Sequence, residues 1–169
     1  MKIAPLGIFC LIAKTFSSQG IDSILELLKY FIGVVIVLFI HLFVVYLPLV
    51  KLIAKVNIIN FFSGLKQALL FAFSTSSSSA TIPITLNNLE KSFNVKKKVS
   101  SFTVPLGATI NMDGTAIMQG MATIFISNFY GIELVFTDFL TIILTAALAS
   151  IGTAGVPGVG MIMLGMVLN

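Results

Sequence analysis

The sequence predicts an all-α membrane protein in which transmembrane helices accompany two opposed re-entrant helical hairpins around an unwound helix. Three observations support this prediction. Of the 169 residues, 57% are hydrophobic and 9% are charged, whereas soluble domains carry about 25% charged residues. One apolar run holds a single aspartate near its centre. Two other apolar segments are each interrupted by small or polar residues, which favours helical hairpins over straight spans.

Charge and cysteine content exclude two classes of protein. All ten basic residues are lysines spread thinly over short loops, so the net charge of +4 does not indicate nucleic-acid binding. The single cysteine, Cys10, excludes an internal disulfide. The composition therefore predicts a multi-pass protein of the inner (plasma) membrane, with the lipid bilayer as its surroundings and no nucleic-acid partner.

Residues 1–57 are predicted to contain two transmembrane helices. Ile3–Phe16 is apolar but short, as expected for the end of a longer helix whose front is absent. Tyr30–Val50 is long enough to cross a bilayer, and its only strongly polar side chain is His41. We expect this histidine to face the backbone carbonyl of a neighbouring helix.

Residues 58–95 are predicted to form the first hairpin. Lysines flank the segment on both sides: Lys51, Lys55, Lys66, Lys91, Lys96, Lys97 and Lys98. Short lysine-rich loops stay cytoplasmic, so residues 67–90 must enter the membrane and return on the same side. Polar residues at Thr75–Ser79 interrupt this segment. Two arms of about ten residues, at about 1.5 Å each, would reach half of the hydrocarbon thickness.

Residues 100–129 are predicted to form a broken helix. Asp113 is the only ionisable residue in the apolar run from Phe102 to Phe129, and a carboxylate at that depth costs about 2.5–3.5 kcal/mol on insertion scales. In a regular helix Asn111 and Asp113 would point about 200° apart, so both can face one ion only if the backbone unwinds. Oxygen ligands with one negative charge suit a hard cation. An Asp–Asn pair that joins two helices is the structural alternative.

Residues 137–169 are predicted to form a second hairpin that ends near the end of its second arm. Four glycines and Pro157 within residues 152–160 cannot continue a helix. The preceding loop carries Glu133 and Asp138 but no lysine, as an external loop can. Interrupted segments in matching positions indicate a binding site between inverted repeats. Close-packing glycine turns are the alternative interpretation.

Three stretches, at residues 76–83, 107–115 and 150–160, resemble the dicarboxylate/amino acid:cation symporter (glutamate transporter) family in sequence and in order. The resemblance covers essentially the whole chain, truncated at both ends relative to the family. It implies that residues 1–57 are similar to the family's fifth and sixth helices, the first of them truncated. It also implies that residues 58–169 form a partial transport domain whose second hairpin acts as the external gate.

The resemblance implies the site residues and the ions as well. Sodium ions would bind eight residues of the broken helix and second hairpin: Gly107, Thr109, Asn111, Met112, Asp113, Ser150, Ile151 and Thr153. The substrate would contact Ser78, Ser79, Thr115, Gly155 and Val156. No residue has a catalytic role.

The leading functional hypothesis is a part or fragment of a sodium-coupled symporter of glutamate or aspartate. The alternatives are a carrier of neutral amino acids or C4-dicarboxylates, or an inactive fragment of a split gene. The family's eighth helix, which supplies an arginine to the substrate's side-chain carboxylate, is absent, and the sequence contains no arginine. Gln119 stands where eukaryotic members carry a proton-linked glutamate, which disfavours proton coupling. The expected protein partners are further copies in a homotrimer or a complementary C-terminal chain.

An enzyme is disfavoured. An intramembrane serine hydrolase would use Ser77 or Ser78 with His41, but the sequence has no Gly-x-Ser-x-Gly elbow. It also shows no carboxylate in a position to orient the histidine.

Overall fold

The computed structural model of the chain describes residues 4–19, 22–151 and 153–168, and the regular structure in these ranges is helical, without a strand. The predicted all-α class is therefore confirmed for the described residues. The α-helices are α1 Ala4–Gln19, α2 Asp22–His41, α3 Ile58–Thr75, α4 Ser78–Phe93, α5 Lys97–Ile110, α6 Asp113–Phe129, α7 Phe136–Ile151 and α8 Val159–Val167. Ile3, the predicted start of the first helix, lies outside the described residues, as do Gly152 and Asn169.

The second helix is longer than the predicted span and changes its winding near its end. After His41 it continues through two π-helical segments, Leu42–Tyr46 and Leu49–Ile53. Leu25–Ile53 is long and apolar enough to cross a bilayer, and among the described helices so is Ile58–Thr75.

Helices α3 and α4 form an antiparallel pair, which we call the first hairpin. The rings of Phe61 near the start of α3 and Phe93 at the end of α4 lie 6.2 Å apart, so the pair closes on itself at its base. The arms have 18 and 16 residues, and the prediction of about ten is wrong. The first arm is longer because α3 begins at Ile58, nine residues before the predicted start of the arm, where the Asn57 side chain caps it by accepting from the Ile59 N–H at 2.8 Å.

The helix around the central aspartate is broken at the predicted place. Helix α5 ends at Ile110, α6 begins at Asp113, and Asn111 and Met112 between them have non-helical backbone angles. Helix α6 lies at the centre of the fold, where it packs against α2, α7 and α8. Helices α7 and α8 pack on each other and form the second hairpin.

The buried side chains are mostly small and polar, and the large apolar ones face outward. Gln119 and Ser100 are fully buried, and Ala122, Ala146 and Thr123 line other helix contacts. Small residues and hydrogen-bonding side chains are what helices use to pack in a bilayer, where the lipid is as apolar as leucine. The distribution therefore fits a lipid-facing bundle better than a soluble core.

Candidate functional site

The turns of the two hairpins meet at one carbonyl group. We call Ser76–Ser79 the serine tip and residues 153–158 the glycine tip. The carbonyl oxygen of Gly155 accepts a hydrogen bond from the Ser77 hydroxyl at 2.8 Å and another from the Ser79 backbone N–H at 3.0 Å. The first hairpin and the second, 78 residues apart in sequence at this contact, are thus joined through main-chain and hydroxyl groups.

Gly155 allows this approach because it has no side chain. A Cβ atom at this position would lie 2.8 Å from the Ser79 hydroxyl oxygen and 3.0 Å from the Ser79 backbone nitrogen. The hydroxyl contact is closer than real Cβ atoms come, and the backbone contact is tighter than nine in ten of theirs, so a side chain here would push the tips apart. The close contact between the two hairpin tips therefore requires a glycine at position 155.

The serine tip is built from local hydrogen bonds. Ser76 has a left-handed backbone (φ 49°), and its N–H donates to the Ala72 carbonyl at 2.8 Å, which ends α3. Ser77 then caps α4, since its hydroxyl oxygen accepts from the Ala80 N–H at 3.2 Å. The Ser77 hydroxyl therefore serves both the α4 cap and the contact with Gly155.

A small cavity of about 150 Å³ lies where the two tips approach the helix break. Ten residues line it: Ser76, Ser78, Met112, Thr115, Thr153, Ala154, Gly155, Val156, Gly158 and Gly160. Six of these belong to the predicted substrate or sodium residues, and they come from three separate stretches of the chain. The cavity is smaller than the 300–1,000 Å³ usual for drug-sized ligands, so its size fits a small solute.

Local contacts hold the groups at the helix break around Met112. The Asn111 N–H donates to the Gly107 carbonyl at 3.0 Å, and the hydroxyl of Thr115 lies 3.8 Å from the buried Met112 sulfur. The hydroxyl of Thr109 is exposed and donates to the Leu106 carbonyl at 2.9 Å. Carbonyl oxygens carry two lone pairs, so Gly107 keeps acceptor capacity.

The carboxylate of Asp113 points to α2 and is 44% exposed. The Tyr46 hydroxyl donates to its Oδ2 atom, and Nε2 of His41 lies 3.4 Å from the same oxygen. The expectation that His41 faces a backbone carbonyl is therefore wrong. The sequence analysis did not predict the contact between Tyr46 and Asp113, because nothing in the residue pattern indicates a π-helical segment.

The contact between His41 and Asp113 also corrects one reason for disfavouring a hydrolase. The Asp113 carboxylate lies within 3.4 Å of the His41 ring. The serine side of such a site is not formed, however, because the Ser77 hydroxyl donates to the Gly155 carbonyl and caps α4. No hydrogen bond in the described ranges joins His41 to Ser77 or Ser78.

The remaining predicted residues at the end of α7 do not line the cavity. The hydroxyl of buried Ser150 donates to the Ala147 carbonyl at 2.8 Å, and Ile151 is exposed. Thr153 is buried, lines the cavity and donates through its hydroxyl to the Ala149 carbonyl at 2.8 Å. The cavity lining thus contains every predicted substrate residue except Ser79. It does not contain the predicted sodium residues Gly107, Thr109, Asn111, Asp113, Ser150 and Ile151.

Comparisons with known proteins show which family the sequence matches. The family described as sodium:dicarboxylate symporter matches residues 1–169. Excitatory amino acid transporter 1 of Bos taurus is 44% identical over 171 residues, which are 100% of this chain and 32% of that protein. The human excitatory amino acid transporter 1 is 43% identical, with 100% and 32% covered. An excitatory amino acid transporter of Caenorhabditis elegans is 44% identical, with 100% and 34% covered.

The chain spans about a third of the length of these curated relatives. The family model nevertheless matches it from end to end, and the tips, the broken helix and the cavity lie within that match. The chain belongs to the sodium:dicarboxylate symporter family.

Proposed function

We propose that this chain forms part of the transport core of a multi-pass, sodium-coupled symporter that carries an acidic amino acid, glutamate or aspartate, across the plasma membrane. The observation that carries the proposal is the Gly155 carbonyl, which joins the two hairpin tips beside a cavity that also reaches the helix break. Relatives with 43–44% identity are named excitatory amino acid transporters, which supports the choice of substrate class.

The two hairpins enter the membrane from opposite faces, with residues 1–57 as two adjacent helices. The support is electrostatic. Lys91 lies in the last turn of α4, lysines 96–98 follow it, and Lys51 and Lys55 precede the first hairpin. By contrast, Glu133 lies in the loop before α7 and Asp138 in its first turn, and residues 128–138 contain no lysine. Short lysine-rich loops stay cytoplasmic, so two hairpins that touch at their tips have their bases on opposite sides.

The substrate occupies the cavity between the tips and the helix break. Ser78, Thr115 and the backbone around Gly155 offer hydroxyl, N–H and carbonyl groups there. The N–H of Ser79 at the start of α4 suits a carboxylate, as helix N-termini do. In this structure that N–H is held by the Gly155 carbonyl, so the glycine tip must move before an anion can use it.

Sodium ions are the cotransported cations, and the groups around the break fit them. Asp113 supplies one negative charge, Asn111 an amide oxygen and Gly107 a carbonyl with a free lone pair. The Thr109 carbonyl, the Met112 sulfur and the carbonyls of Ser150, Ile151 and Thr153 form a second set. Because each set shares a hairpin or helix with the substrate cavity, cation and substrate affinities are coupled reciprocally.

The test is sodium-driven uptake of labelled L-aspartate into proteoliposomes, measured for this chain and for a chimera in which it replaces the matching stretch of the bovine transporter. We expect uptake in sodium but not in choline, and weak competition by unlabelled alanine or succinate. Asp113→Asn should lower sodium-dependent uptake at least tenfold, since it removes the only carboxylate at the break. The control is Glu133→Gln, which removes an exposed carboxylate from the loop before the second hairpin. Full sodium-coupled uptake in the Asp113→Asn chimera would contradict the sodium site.

A further inference from the structure

The π-helical segment Leu42–Tyr46, which continues α2, places two side chains on one face of the helix. A regular α-helix would separate these side chains. His41 and Tyr46 are five residues apart. At 3.6 residues per turn they would point about 140° apart, whereas the wider winding of a π-helix, about 4.4 residues per turn, brings them to about 50°. Their rings lie 5.0 Å apart, edge to face. The segment Leu42–Tyr46 is therefore the local cause of their convergence.

Both side chains meet the same oxygen atom of Asp113. The Tyr46 hydroxyl donates to Oδ2, and Nε2 of His41 lies 3.4 Å from Oδ2. In the described part of the chain no hydrogen bond reaches the other oxygen, Oδ1. The carboxylate is thus held by one oxygen and has the other available. Its 44% exposure leaves room for a further ligand.

We propose that Tyr46, supported by His41, is a positioning residue that holds the Asp113 carboxylate by Oδ2 so that Oδ1 can bind a hard cation. The inference rests on the proposed function, in which Asp113 binds sodium. Hydrogen-bond partners of a metal ligand fix its orientation, and removing them typically lowers metal affinity about 10- to 100-fold. A carboxylate that is already oriented also loses less rotational freedom when the cation binds.

The phenol suits this role better than a charged donor. A lysine at position 46 would neutralise the carboxylate and compete with the cation, whereas the neutral hydroxyl orients it and leaves its charge in place. Tyr46 also joins α2 to the first residue of α6. Sodium binding at Asp113 therefore affects, through Tyr46, the helix that contains α2, which lies outside the two hairpins.

The test uses the full chain purified in detergent micelles and measures thermal unfolding as sodium chloride replaces choline chloride at constant ionic strength. A cation that binds the folded state raises the unfolding temperature, so the titration yields a sodium midpoint. Tyr46→Phe should raise this midpoint about tenfold, with little change in the unfolding temperature in choline. His41→Gln, a second variant, should raise it by a smaller factor. Tyr30→Phe is the matched control, since Tyr30 lies in α2 and its ring packs 5.2 Å from that of Phe125 in α6.

Three results would overturn the inference. A Tyr46→Phe midpoint equal to or below that of the unaltered chain means that the hydroxyl does not position the ligand. A lower unfolding temperature at every sodium concentration, with an unchanged midpoint, assigns Tyr46 a packing role only. Both results leave the proposed function standing. An unaltered chain that sodium does not stabilise contradicts the sodium site itself, and the inference falls with it.

Discussion

The two hairpins reach the same contact with differently built tips. In the first hairpin, arms of 18 and 16 residues are joined by only two non-helical residues, Ser76 and Ser77. In the second, arms of 16 and 9 residues flank a glycine tip that is non-helical at residues 153–158. The comparison shows two ways to reverse the direction of a helical chain: hydroxyls that replace lost backbone bonds, and glycines that let backbones touch.

Both tips are held by hydrogen bonds of their own. In the serine tip the Thr81 hydroxyl donates to the Ser77 carbonyl at 2.7 Å, in addition to the cap on α4. In the glycine tip the Val156 N–H donates to the Ala154 carbonyl at 2.8 Å and the Thr153 hydroxyl to the Ala149 carbonyl at 2.8 Å. The left-handed backbone at Gly158 (φ 84°) is one that glycine adopts without strain.

The largest effect is expected where the tips touch. In Gly155→Ala the new Cβ meets the Ser79 hydroxyl and backbone nitrogen at 2.8 and 3.0 Å. Overpacking of this kind costs about 1–3 kcal/mol. We expect a lower free energy of unfolding in micelles and faster hydrogen exchange at the Ser79 amide, which loses its bond to the Gly155 carbonyl.

Gly165→Ala in the same hairpin is the matched control, because an added Cβ there would meet no atom of the described residues within 4 Å. This change should leave stability unchanged or raise it, since alanine favours a helix over glycine by about 0.5–1 kcal/mol. Equal behaviour of the two alanine variants would show that the tips are not in contact.

A smaller effect is expected at the serine tip. Ser77→Ala removes both the hydrogen bond to the Gly155 carbonyl and the cap on α4, and we expect a loss of about 1–2 kcal/mol in the free energy of unfolding. Ser74→Ala should cost less than about 0.5 kcal/mol, because that exposed hydroxyl only donates to a carbonyl within its own helix.

Hydrogen exchange separates the two parts of the Ser77 effect. Loss of the cap exposes the Ala80 amide, and loss of the contact between the tips exposes the Ser79 amide. A Ser77→Ala variant that exchanges as slowly as Ser74→Ala at both amides would contradict the double role of this hydroxyl.

The sequence was sufficient to predict elements that depend on local chemistry. Glycine-rich and serine-rich interruptions stop helices because glycine costs helix stability and serine caps the next helix. The break at Asn111–Met112 was predicted because a lone carboxylate in an apolar run needs backbone or amide oxygens nearby. The convergence of Ser78, Thr115 and Gly155 on one cavity was expected from the family resemblance, and they line one cavity in the structure.

Features that depend on three-dimensional packing were not predictable in this way. The predicted arm lengths were wrong because the stretch between the lysines, residues 67–90, left out the first turns of α3, which begin at Ile58 after the Asn57 cap. The contact of His41 and Tyr46 with Asp113 needs a change of helical winding and a partner about 70 residues away. The local periodicity of the sequence indicates neither the change of winding nor the distant partner.

The smallest effect is expected at the base of the first hairpin, where Gly64 faces the aromatic ring of Phe93. A Cβ at position 64 would lie 2.7 Å from two ring atoms and 3.1 Å from the Ser92 Cβ. Gly64→Ala gains helix propensity but forces the ring aside, so we expect a net loss of about 1 kcal/mol in the free energy of unfolding. Phe93→Leu removes the obstructing ring, and the double variant should recover about 1 kcal/mol relative to the sum of the single changes. Strict additivity would mean that the two arms do not close at this end, and the contrast with the open surroundings of Gly165 in the second hairpin would then disappear.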